Sequence, residues 1–166
     1  MIQIKPLIAS EVADFVKVHL ACFQDCYHGI YSSEVFEVRR RKENQRIEHI
    51  KRRLKAKDCF YCALYDDEDI VGIMIFSILD YRGLLDALYL KKDYQNQGYG
   101  TKLLQVLELT LLSQGIQEYI VYVSQFISSN QFFLKRHAKK VSEEPISIHG
   151  KDYIENEYVV KVGDNI

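Results

Sequence analysis

A chain of 166 residues, 48% of them hydrophobic and with a formal net charge of −1, is most economically one globular domain, 1–166, whose core needs no disulfide staples. The near balance of charge excludes a global basic signal for nucleic acid and an acidic tail. The opening MIQIKPL lacks the basic start and apolar stretch of a signal peptide, and the most apolar run, Ile70 to Leu79, is about half a membrane span. A soluble cytoplasmic protein with no membrane partner is expected.

Ile2 to Leu7 predicts a short first strand ended by Pro6. Ser10 is placed to cap a helix in which Val12, Phe15, Val16, Leu20 and Phe23 recur at helical spacing, running to about Asp25. Gly29 and the paired serines of CYHGIYSSE break that pattern. A second helical region is expected from Ser33 to about Lys57. Its apolar positions are sparse: Val35, Val38, Ile47, Ile50 and Leu54. Its basic residues are many, with Arg39, Arg40, Arg41, Arg46, Arg52 and Arg53. A solvated face accounts for them. An acidic partner or a nucleic-acid phosphate is the sharper alternative, but no interleaved aromatics or nucleic-acid motif accompany the run. The patch would also help to attract a polyanionic cofactor.

CFYCALYD predicts a strand that ends in the acidic turn DDED, and IVGIMIFSIL answers it across a hairpin. That second run is continuously apolar, as a central strand buried on both faces would be. LLDALYL is the next strand. Gly98 to Ser113 is a helix with Leu103, Leu104, Val106, Leu107, Leu111 and Leu112 on a broad apolar face, stopped by Gly115. EYIVYVS is a buried strand, SSNQFFLKRH a short helix, and the remainder two strands about the turn at His149 and Gly150. The order β-α-α-β-β-β-α-β-α-β-β has crossovers only around Gly98 and Phe133, which makes a mixed sheet with helices on both sides. The four cysteines pair in sequence as Cys22 with Cys26 and Cys59 with Cys62. Strand alternation sends the second pair to opposite faces, so buried reduced thiols fit better than a zinc site.

The stretch QNQGYGTKLL carries the chemistry. A helix that opens here exposes unpaired backbone N–H groups and the positive end of its dipole. Glycines keep side chains off that backbone, which suits a phosphate or pyrophosphate. It is no P-loop, because no Gly-Lys-Ser/Thr follows, and it has two glycines where a dinucleotide fingerprint has three. Glycines serving only tight packing remain the structural alternative.

Gln95-Asn96-Gln97-Gly98-Tyr99-Gly100 resembles the Gln/Arg-x-x-Gly-x-Gly/Ala signature of the GNAT N-acetyltransferase superfamily. The lead-in LYLKKDYQ is similar to that family's L-Y-V-x-P-x-Y-Q, with Leu90 at Val and Lys92 at Pro, and FQDCYHGIYSSE resembles its helix-to-loop entry. The resemblance implies an α/β (α+β) GNAT-like fold: a central, mostly antiparallel sheet with a splayed parallel strand pair and helices on both faces. It implies acetyl-coenzyme A as co-substrate and no metal. The pyrophosphate would lie on the amides from Gln97 to Thr101, within a cofactor site of Gln95, Asn96, Gln97, Gly98, Tyr99, Gly100 and Thr101. The pantetheine would run along Leu88, Tyr89 and Leu90, beside a slot left where that strand splays from Tyr119 to Ser124.

The implied reaction is direct attack of a neutral primary amine, on a small molecule or peptide, upon the thioester. It needs a base, an oxyanion donor near Leu88 to Leu90, and an acid for the thiolate. Asp86, on the cofactor strand within an apolar run, is the candidate base; an Asp solvated or bonded to Arg82 is the plainer alternative. His28 is a second candidate, and Tyr27, His28 and Tyr31 are expected to border the acceptor, with Tyr153 and Tyr158 closing it. The family's helix tyrosine falls at Leu134 and its upstream Asn at Ile127, so the customary acid is absent. A non-catalytic acyl-coenzyme A sensor with the same fold is the alternative this departure favours. A homodimer is left open.

Overall fold

A computed structural model describes residues 1–163. Seven strands and five helices alternate in chain order: β1 (Ile2–Pro6), α1 (Val12–Tyr27), α2 (Ser33–Arg41), α3 (Glu43–Arg53), β2 (Cys59–Asp66), β3 (Asp69–Leu79), β4 (Arg82–Leu90), α4 (Tyr99–Ser113), β5 (Glu118–Ser124), α5 (Ser129–Leu134), β6 (Lys139–Ile148) and β7 (Lys151–Lys161). The strands form one sheet in the order β1-β2-β3-β4-β5-β7-β6. Every neighbouring pair is antiparallel except β4 and β5. This is the expected mixed sheet, with β7 inserted between β5 and β6.

The apolar patterns divide between two faces. Leu103, Leu104, Leu107 and Leu111 of α4 pack on Leu64, Met74, Phe76, Leu85, Tyr119 and Val121. On the opposite face Val12, Phe15, Val16 and Cys22 of α1 and Ile50 of α3 pack on Tyr61, Ala63, Tyr65, Ile73, Ile75 and Ala87. β3 therefore contributes to both layers, which explains its unbroken apolar run. Gly115 closes α4 as expected, with Gly115 N–H donating to Leu112 and Ile116 N–H to Leu111. No helix among the described residues is long and apolar enough to cross a membrane.

Two local expectations fail. Ser10 does not cap α1: it lies in a single 3-10 turn, Ala9–Glu11, and no side chain caps either helix start. The long basic helix is two helices that meet at Lys42, where the backbone leaves helical geometry. Cys59 and Cys62 do face opposite layers, and all four cysteines are free thiols.

Asn130 ties the end of β5 to the sheet. Its Nδ2 donates to the Ser124 and Ile127 carbonyls, each at 2.8 Å. Its Oδ1 accepts from Asn156 Nδ2 at 2.9 Å and from the Tyr158 hydroxyl at 2.8 Å. Asn156 and Tyr158 are buried, so losing this acceptor strands two buried donors. Asn130→Ala is expected to cost roughly 3 kcal/mol of stability by denaturant titration, at unchanged slope.

Candidate active site

The sheet opens where β4 leaves β5. Only three rungs join them, Gly83↔Tyr119, Leu84↔Ile120 and Leu85↔Val121. From Asp86 to Leu90, β4 keeps β3 on one edge and has no strand on the other. A bulge marks the divide. Pairing with β3 passes from Phe76↔Leu85 to Ile75↔Ala87, which makes Asp86 the extra residue. Its carboxylate is exposed on one side and accepts from Ser77 Oγ at 3.0 Å, while Arg82 pairs with Glu118 instead. Partial burial pushes the Asp86 carboxyl above the usual carboxylate range, against the smaller pulls of Ser77 and Arg46.

α4 begins beside this opening. Gly98 precedes its first turn with φ +85°, a left-handed conformation that disfavours other residues. No side chain caps the helix and no acidic residue stands in its first turn. The amides there can accept an anion, so these residues fit a pyrophosphate. Gly98 has open space where a Cβ would stand, but a Cβ on Gly100 would come within 3.2 Å of the Phe132 ring. The two glycines thus serve different ends: one shapes the turn, the other lets α5 approach α4. Gln95 Nε2 donates to the Leu90 carbonyl at 3.0 Å and Gln97 Nε2 to the Asp93 carbonyl at 2.6 Å, so both glutamines brace the turn. Asn96 is left-handed at φ +59°. Tyr99 lies tilted against Tyr94, and Lys102 Nζ stands 5.4 Å from the centre of its ring. Thr101 accepts from Arg136, whose guanidinium lies 3.7 Å from the Phe132 ring.

On the α1 side of the sheet an aromatic cluster stands at the same opening. Tyr27 and Tyr31 stack at 4.5 Å between centroids, Phe23 lies 4.7 Å from Tyr27, and Tyr153 meets Tyr31 edge-on at 4.8 Å. Tyr89 and Ile127 pack against them. Burial raises the pKa of both Tyr27 and Tyr89. Burial, and then the nearby Glu155, push Tyr31 up to about 12. His28 ends α1 with its side chain exposed.

The expected acceptor wall needs one correction. Tyr158 does not close it: alternation along β7 turns that ring into the α4 layer, where it bonds Asn130. Tyr119 is buried in the same layer, and Tyr122 is exposed on the other face. Phe133 is buried and Leu134 is exposed on α5, so that helix offers no hydroxyl at the customary position. Several residues escaped the sequence: Ser124, whose buried Oγ has no partner, and Glu155, Asn130, Phe132 and Arg136. Strand pairing brings Ser124 and Glu155 together, and α5 with the turn after it brings Asn130, Phe132 and Arg136. Two cavities of about 220 and 190 Å³ lie between α1 and the α2–α3 pair, with Arg39 lining both and Phe23 of the aromatic cluster lining the first.

A splayed parallel pair beside an uncapped, glycine-led helix leaves open amides at the helix mouth and a free strand edge next to them. The family model described as acetyltransferase (GNAT) family matches residues 20–137, and the chain belongs to that family. It is an acetyltransferase with acetyl-coenzyme A as co-substrate. The chain is 26% identical over 156 residues to spermidine N(1)-acetyltransferase of Thermoplasma acidophilum, covering 92% of this chain and 94% of that protein. The crystal structure of PaiA N-acetyltransferase from the same organism, in complex with coenzyme A, superposes with TM-score 0.76 at 24% identity over 97% of this chain and 99% of that one. An N-acetyltransferase from Staphylococcus aureus does so with TM-score 0.76 at 13% identity over 98% and 99%. At these identities the structural likeness is one of fold.

Proposed function

We propose that the chain acts as one domain, transferring acetyl from acetyl-coenzyme A to a primary amine of a small alkyl polyamine by direct attack. The observation that carries this reading is the gap between β4 and β5, which meets the open α4 N-terminus on one side and the aromatic cluster on the other. The spermidine N(1)-acetyltransferase relative supports the acceptor class.

In this reading the amides from Gln97 to Thr101 hold the pyrophosphate, with Gln95 and Asn96 shaping the turn and Tyr99 beside it. The free edge of Leu88, Tyr89 and Leu90 pairs with the pantetheine amides, and one N–H of that edge polarises the thioester carbonyl. Tyr27, His28 and Tyr31 border the acceptor. Asp86 takes the proton from the attacking ammonium, directly or through one water, so that the neutral amine reaches the carbonyl carbon. The nitrogen gives its second proton to solvent, and the C–S bond breaks as the tetrahedral intermediate collapses to the amide. Leu134 offers no proton there, and solvent protonates the thiolate.

The test measures thiol release from acetyl-coenzyme A with spermidine and with a panel of primary amines and amino-terminal peptides. Spermidine is expected to be acetylated with the highest kcat/KM. Release with none of the amines, from protein that binds acetyl-coenzyme A, would sink the reading.

A further inference from the structure

We propose that Glu155 is the specificity anchor for a second, non-reacting ammonium of the acceptor, which makes the preferred substrate a di- or polyamine rather than a monoamine. This inference rests on the acetyltransfer reading above and adds to it the charge the acceptor must carry.

Glu155 sits in the middle of β7, opposite Ser124 at the end of β5 and opposite Glu144 on β6. Strand alternation puts it on the same face as Tyr153, two residues away, and so on the aromatic side of the sheet. Across β5 the same face carries Tyr122, and Tyr31 comes from the loop before α2. The groups that face Glu155 are therefore Tyr31, Tyr122, Ser124, Tyr153, Glu144 and Glu157. None is a cation.

Two carboxylates near it have partners and Glu155 does not. Glu157 accepts from Ser142 Oγ at 2.7 Å and from the Tyr122 hydroxyl at 3.4 Å. Glu143 pairs with Lys140. Glu155 has neither a salt bridge nor a side-chain hydrogen bond among the described residues, although it is partly buried. Burial raises its pKa with no opposing charge. A partly desolvated carboxylate without a partner is costly unless a ligand supplies the charge. The ligand that suits it is an ammonium, whose charge the carboxylate neutralises. An anionic or neutral acceptor gains nothing there. The same ammonium cannot be the nucleophile, which must be neutral when it attacks. An acceptor that uses both Glu155 and the thioester thus needs two amines joined by a flexible spacer.

The experiment compares wild type with Glu155→Gln on two acceptors, spermidine and n-butylamine, with acetyl-coenzyme A saturating. Gln keeps the size and part of the hydrogen bonding, and the position is partly solvated, so the fold is retained. Loss of a charge-assisted contact is expected to lower kcat/KM for spermidine about 10- to 100-fold, mostly through KM, and to leave n-butylamine within about twofold. An equal fall for both amines, or no change for either, overturns the proposal. Calorimetric binding of spermidine to the two proteins decides the matter apart from turnover. Weaker binding to the variant supports the anchor even if wild type acetylates neither amine, a result that would count against the acetyltransfer reading alone. Equal binding, or no binding to wild type, overturns the anchor.

Discussion

Gly98→Asp is expected to abolish the rise in Tm that acetyl-coenzyme A gives the wild type, and to raise KM for acetyl-coenzyme A about 100-fold. The variant should still fold. Nothing lies within 4 Å of where its Cβ would stand, so the cost is that of a left-handed residue, about 1–2 kcal/mol. The functional cost has a different origin. A carboxylate at the mouth of α4 sits where the helix dipole and free amides favour a phosphate, and it repels the cofactor's charge. Gly98→Asn separates the two effects, because Asn tolerates the same backbone without charge; its KM should rise only a few-fold. If Gly98→Asp shifts with acetyl-coenzyme A as the wild type does, the pyrophosphate does not sit on this turn. Gly100 is the poorer probe, since any side chain there must displace the Phe132 ring.

Asp86→Asn is expected to lower kcat at neutral pH by about 100- to 10,000-fold, the range of a lost general base. The pH profile distinguishes this from damage to binding. A base works only when deprotonated, and burial raises the pKa of this one, so wild-type activity should fall with acid through a value above the ordinary carboxylate range. That limb should vanish in the variant. The variant's rate should instead climb with pH as the amine loses its proton to solvent, and its deficit should narrow in alkali. A uniform loss at every pH would assign Asp86 a structural role through Ser77.

Much of the fold was legible because single segments carry it. Strand β3 is apolar at consecutive positions, and α4 has leucines at helical spacing with Gly115 beyond it, so each announces itself without its neighbours. The turn at Gly98 was legible for the same reason. The break at Lys42 was not, since neither Gly nor Pro marks it and the residues on both sides favour helix. The rest of the site depends on pairing. Asp86 is a bulge only because β3 skips it, and Glu155 meets Ser124 only because β7 lies beside β5, whereas the opposite facing of Tyr153 and Tyr158 follows from their odd spacing alone. Glu155 looks like any surface glutamate until Ser124 is set opposite it.

The placement of β7 also orders events in time. β5 and β6 are synthesised before the strand that joins them, so a growing chain holds β5 with a bare outer edge and β6 with no neighbour. The β2–β3–β4 hairpins and α4 can assemble before β7, because the hairpin contacts are between successive segments. The free edge of β4 and the mouth of α4 thus precede β7, which carries Tyr153 and Glu155. A ribosome-bound chain halted after β6 should already collapse around α4, yet expose a strand edge that invites association with other chains.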